Sequence, residues 1–135
     1  MKHSVKRIAI AGILIVLSPL VAKAASVEDE LRGIANSTQK GLPMKVSDEM
    51  QATSMTSAGK ALLARYHFMK KSSAILNVEN LKKEFFRNSI NSSCTNPDMA
   101  RLINRGAYLK YEYYDIDNRF VLGYAIDQEA CKHFP

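Results

Sequence analysis

The sequence has no tryptophan, only two cysteines, and six scattered glycines. Two cysteines are too few for a structural zinc knuckle, and Cys94 and Cys131 stand too far apart for a CxxC redox motif. Gly106 and Gly123 are isolated, so no glycine-rich phosphate cradle is present, and no GxSxG nucleophile turn occurs. The longest apolar run, Ile8 to Leu17, is about half the roughly 20 residues needed to cross a bilayer.

That short run has a different meaning. Lys2, Lys6 and Arg7 precede it; Ser18, Pro19 and the triplet Ala22-Lys23-Ala24 follow. A basic segment, an apolar segment and a small-x-small site make a secretory signal. Cleavage is expected after Ala24, leaving residues 25–135 as a single domain. No cysteine stands at the cleavage site, which argues against a lipoprotein.

Net charge is also small in the mature part. The chain carries +6, but four of its 19 basic residues and none of its 13 acids precede Ala25. The mature charge is therefore only +2. Nucleic-acid binding loses its compositional support, and Lys70-Lys71 and Lys82-Lys83 read as solvated faces.

In an oxidising compartment Cys94 and Cys131 read as an intramolecular disulfide. An intermolecular bridge and two free thiols are the alternatives. Closing 36 intervening residues would stabilise the fold by about 4 kcal/mol in the chain-entropy model.

Periodicity predicts the order helix, strand, strand, helix, short helix, strand, strand. Ser26 caps a first helix with Val27, Leu31, Ile34 and Thr38 on one face, ending by Gly41. Glu49 to Thr56 reads as a weak strand, Ala58-Gly59-Lys60 as a turn, and Ala61 to Met69 as a strand. Asn77 caps a helix that loses propensity over Asn88–Ser93. Asn96, Pro97 and Asp98 start a short helix that Gly106 ends.

Ala107–Tyr114 and Arg119–Ile126 form a hairpin. Tyr111 should pair with Tyr124 and Tyr113 with Leu122, with Phe120, Leu122, Tyr124 and Ile126 on one face. An even loop is expected, since an odd one would turn one apolar face to water. The fold class is α+β: two hairpins in an antiparallel sheet, with helices on one face.

No constellation for catalysis emerges. His67 and His133 lie far apart in sequence, without a nucleophile motif. Asp115-Ile-Asp117-Asn118 lacks the glycine and distal glutamate of a calcium loop, and turn chemistry accounts for it. Neither a metal nor a cofactor is implied. Five of the six tyrosines lie in the last hairpin. Tyr108, Lys110, Glu112 and Tyr114 share the face opposite the core and form the candidate partner-binding strip.

The segment Cys94-Thr-Asn-Pro-Asp-Met-Ala-Arg-Leu-Ile-Asn-Arg-Gly106, then Tyr108-Leu-Lys-Tyr-Glu-Tyr-Tyr-Asp115 and Cys131, resembles small secreted bacterial proteins of the quorum-sensing-regulated virulence factor family. The likeness of layout runs from about Leu42 to Cys131 and is specific from Cys94 onward. Asp117-Asn118, where glycine is more usual, and the residues after Cys131 depart from the pattern. The resemblance implies an exported α/β protein with no established enzymatic activity and a link to virulence. It carries over no catalytic residue.

The expected function is that of an exported, non-enzymatic binding or accessory protein of the bacterial envelope, periplasmic or secreted and related to secretion or virulence. Its expected partner is an envelope protein, with no nucleic acid and no membrane span after cleavage. The alternatives are a periplasmic hydrolase with an unrecognised site, for which His67 is a candidate member, and a domain that assembles with itself through an unpaired strand edge.

Overall fold

The computed structural model describes residues 25–134; the signal segment expected over 1–24 lies outside them. Helix α1 spans Val27–Gln39, and Ser26 Oγ accepts the Asp29 N–H at 3.1 Å, as the capping pattern predicts. Strands β1 (Met44–Lys45), β2 (Met50–Ala58) and β3 (Ala61–Phe68) follow. Gly59, at φ 58°, supplies the left-handed position of the β2–β3 turn. Helices α2 (Val78–Thr95) and α3 (Pro97–Asn104) lead to β4 (Tyr108–Tyr114), β5 (Phe120–Ile126) and a terminal helix α4 (Gln128–Lys132).

Four features correct the sequence expectation. Helix α2 continues through Asn88–Ser93 to Thr95. Burial of Ile90 and Ser93 overrides the low propensity of that run, and Thr95 Oγ1 bonds the Asn91 carbonyl at 2.6 Å. The two-residue β1 and the helix α4 add to the predicted elements.

The sheet, ordered β1-β2-β3-β4-β5, is antiparallel except where β3 meets β4. There the strands run parallel, Leu62 beside Leu109 and Tyr66 beside Tyr113. The connection explains it: α2 and α3 carry the chain back to the end where β3 began, as parallel pairing requires.

The last correction is the β4–β5 loop. Asp115 N–H bonds the Arg119 carbonyl at 2.8 Å, leaving an odd loop of Ile116, Asp117 and Asn118. Asn118 takes the left-handed conformation at φ 63°. Asp115 Oδ1 accepts the N–H groups of Asp117 and Arg119, at 2.9 and 2.8 Å, and so shapes the turn. The register then shifts by one between Tyr113 and Tyr114. That second odd step cancels the first, so Tyr111 still pairs with Tyr124 and Tyr113 with Leu122. Phe120 is the exception: it pairs with Tyr114 and is 57% exposed, away from the core face.

All the long helices lie on one face. Val27, Leu31 and Ile34 of α1 pack with Leu102 and Ile103 of α3 over Leu62, Leu109 and Ile126. A second cluster seats Val78, Leu81 and Phe85 of α2 on Phe68, Tyr113 and Leu122. Glu30, 8% exposed, binds Arg101 at 3.0 Å and Arg105 at 2.6 Å, which ties α1 to α3. The Cys94–Cys131 disulfide joins the last turn of α2 to α4.

Candidate functional site

Helices α1 and α2 do not close over the middle of the sheet. Between them lies a groove of about 540 Å³. Its floor includes Ala52 of β2 and Ala64 of β3, whose short side chains leave the space unfilled, together with Tyr66, Tyr111 and Tyr113. One wall is apolar: Leu42, Met44, Val46 and Met50. The other is the polar flank of α2, with Asn88, Ser89 and Ser92. Met55 and Met99 also line it. Thioether chains repack readily around differently shaped guests.

The tyrosines under the groove form one stacked group. Tyr66 lies over Tyr113 and Tyr111 over Tyr124, each pair with ring centroids 5.1 Å apart. Their hydroxyls link floor to wall: Tyr113 to Tyr124 at 2.8 Å, Tyr124 to Ser89 at 2.7 Å, and Tyr111 to Ser93 at 3.3 Å. Burial pushes the Tyr124 hydroxyl up to about 12 and raises Tyr66, Tyr111 and Tyr113 as well. These four tyrosines are uncharged at neutral pH. The Tyr66 hydroxyl has no hydrogen-bond partner among the described residues. Such a surface suits an apolar guest with uncharged polar groups along one side.

The predicted strip lies on the opposite, uncovered face of the sheet. Tyr108 is 38% exposed and Lys110 is exposed. Glu112 and Tyr114 are instead engaged with each other and with β3. Glu112 Oε1 accepts from Arg65 Nε at 3.0 Å and from the Tyr114 hydroxyl at 2.9 Å. That bond to Glu112 raises the Tyr114 hydroxyl above its ordinary value. The Tyr114 ring stacks on His67 at 5.2 Å and meets the edge of Phe120 at 5.8 Å. The strip thus shares one face, but only its Tyr108 and Lys110 end is well exposed.

His67 belongs to the same network. Its Nδ1 lies 2.8 Å from Thr53 Oγ1 and its Nε2 2.8 Å from Asn118 Oδ1. These partners are a hydroxyl and an amide; no carboxylate is among the hydrogen-bond partners of the ring. His133 sits at the end of α4, with Nδ1 3.1 Å from the Glu129 carbonyl. Among the described residues no three His, Cys, Asp or Glu side chains gather as metal ligands. The groove residues were missed in the sequence. Their one available signal was the density of methionine at 44, 50, 55 and 99 beside the Ser/Asn run of α2.

A family profile described as "Putative quorum-sensing-regulated virulence factor" matches residues 21–132. The chain belongs to this family. No curated protein matches the sequence. Among solved structures, this family member is similar to a putative secreted protein from Pseudomonas aeruginosa. The two share 21% identity at a TM-score of 0.64, over 80% of this chain and 99% of that one. It is also similar to EpsS, the pilotin from the Vibrio vulnificus type 2 secretion system, with 10% identity and a TM-score of 0.65 over 78% and 91% of the two chains. For AspS, the type II secretion system pilotin from Vibrio cholerae, the values are 13% and 0.60 over 78% and 92%. At these identities the likeness is one of fold. Among the described residues of this virulence factor family member, no helix is long and apolar enough to cross a membrane.

Proposed function

We propose that this chain is an exported, non-enzymatic accessory protein of the bacterial envelope that holds a segment of a protein partner, in the manner of a secretion pilotin. The observation that carries the reading is the groove: about 540 Å³, floored by tyrosines and alanines, apolar and methionine-rich on one wall, and hydroxyl- and amide-bearing on the other. An amphipathic peptide laid along it buries its apolar side on the methionines and sets its polar side against Asn88, Ser89 and Ser92. The signal-like N-terminus supports export, and the two pilotin neighbours support a role in a secretion assembly.

A second reading places the partner on the open sheet face, at Tyr108 and Lys110. Its support is the exposure of Tyr108 and of Phe120 on that side. Photo-crosslinking in the native envelope separates the two. A photoreactive group at Met50 should attach to a component of a secretion assembly, and Ala64→Trp, which fills the groove, should abolish the adduct. Adducts formed only from Tyr108, and lost in Tyr114→Ala, would move the site to the open face. Adducts from neither position would overturn the protein-binding reading.

A further inference from the structure

The hydroxyls beneath the groove are not all paired. On the groove side of α2, Ser89 and Ser93 stand one turn apart and meet the hydroxyls of Tyr124 and Tyr111, at 2.7 and 3.3 Å. One turn earlier the same row holds Phe85, which has no polar group and packs its ring 4.8 Å from that of Tyr113. Tyr113 bonds Tyr124 instead, at 2.8 Å. Tyr66 stacks on Tyr113 and pairs across the sheet with Ala52, a residue with no polar side chain to offer. Its hydroxyl is left without a partner among the described residues.

That hydroxyl is not sealed off. Among the described residues the buried side-chain N and O atoms are all bonded except Thr38 Oγ1. The Tyr66 oxygen, also unpaired, therefore keeps some open surface. Tyr66 points to the helix-covered side and lines the groove, so this surface faces the groove. Thr38 lines it as well, from the last turn of α1. Both unpaired hydroxyls thus belong to one groove, and a buried polar group without a partner in the fold calls for an explanation outside it.

The groove is a gap in a layer of helices, between α1 and α2, and a helical segment is the form that completes the layer. Lying over Tyr66, it removes the hydroxyl from water, and that desolvation is uncompensated unless a new bond replaces the lost one. The main-chain carbonyls of a helix are taken by its own N–H groups, so the new bond has to come from a side chain. A carboxylate fits badly. Burial already pushes the Tyr66, Tyr111 and Tyr113 hydroxyls up, against ionisation, and penalises a guest carboxylate in the same way.

Taking the groove as the partner's seat, we infer that the Tyr66 hydroxyl selects the guest: it donates a hydrogen bond to an Asn, Gln, Ser or Thr side chain set within the apolar face of a helical segment. A wholly apolar face is rejected, because it leaves the hydroxyl covered and unbonded.

Amphipathic helical peptides selected by phage display on the mature, oxidised chain supply the probe. Binders that crosslink from a photoreactive group at Met50 occupy the groove, and Ala64→Trp should release them. They should bind Tyr66→Phe roughly tenfold or more weakly, although that variant unfolds at the wild-type urea midpoint. Each should carry one Asn, Gln, Ser or Thr in its apolar face. Replacing that residue by an apolar one of similar size should cost the same factor against the wild type and nothing further against Tyr66→Phe. Groove binders indifferent to Tyr66→Phe overturn the selecting role and leave the groove reading standing. So does a peptide replacement that costs as much against Tyr66→Phe as against the wild type. Binders that crosslink only from Tyr108 and persist in Ala64→Trp overturn both.

Discussion

The Tyr124 hydroxyl lies 2.7 Å from Ser89 Oγ, and this contact fastens the wall of the groove to its floor. Tyr124 also bonds Tyr113 at 2.8 Å, whereas Tyr66, in the same stack, spends its hydroxyl on no described residue. Tyr124→Phe should therefore destabilise the chain by about 1–2 kcal/mol, since it leaves the hydroxyls of Ser89 and Tyr113 without this partner. Tyr66→Phe should leave stability nearly unchanged. Urea titrations of both variants check the pair, and equal losses would mean that the rings, not the hydroxyls, hold the stack.

Glu30 makes a prediction about pH. Burial alone would push its carboxyl up, but hydrogen bonds and charge from Arg101 and Arg105 hold it below the ordinary glutamate value of 4.5. A depressed carboxylate stabilises the fold fully above its unfolded-state value, and loses that contribution as pH falls through the folded one. Glu30→Gln should cost about 2 kcal/mol at pH 7, less than a fully buried pair would, because both arginines remain partly in water. The gap between variant and wild type should narrow as pH drops below 4.5. Thermal unfolding across that range is the measurement, and a gap independent of pH would assign the loss to packing.

Some of this architecture was legible in local chemistry. Ser26, Asn77 and Asn96 each cap the helix predicted for them, because a cap needs only its own side chain and an N–H three residues on. Gly106 ends α3 at φ 103°, where a residue without Cβ is favoured. What failed depends on distant partners. The Asn88–Ser93 run stays helical because Ile90 and Ser93 are buried. The odd hairpin loop depends on two bonds to Asp115, and its effect is undone by a shift two strand positions away. The strip at Tyr108, Lys110, Glu112 and Tyr114 was legible as a face, since strand period alone sets it. That Glu112 and Tyr114 would be engaged there was not, because Arg65 and His67 come from another strand. The groove is least legible: it exists because the short side chains of Ala52 and Ala64 lie below a gap between helices far apart in sequence.

Export and oxidation are tested together by intact mass. The natural product should correspond to residues 25–135 less two hydrogens, with no titratable thiol. Cys94→Ser with Cys131→Ser should lower stability by up to about 4 kcal/mol if the closed loop acts chiefly on the unfolded chain. The loss should be similar whether measured by heat or by urea at one temperature. A chain retaining its first 24 residues would overturn the reading of the N-terminus.

Asn118 serves two ends at once, and substitution can part them. Its backbone sits at φ 63°, which favours glycine, and its side chain meets His67 Nε2 at 2.8 Å. Asn118→Gly loses the side-chain bond but relieves the left-handed position, so the net change should stay within about 1 kcal/mol. Asn118→Ala loses the bond and worsens the backbone, and should cost about 2 kcal/mol. Chemical denaturation at neutral pH ranks them. If alanine and glycine cost the same, the bond to His67 holds this corner of the open face. If glycine equals or exceeds the wild type, the turn geometry does, and His67 is a passenger of the stack with Tyr114.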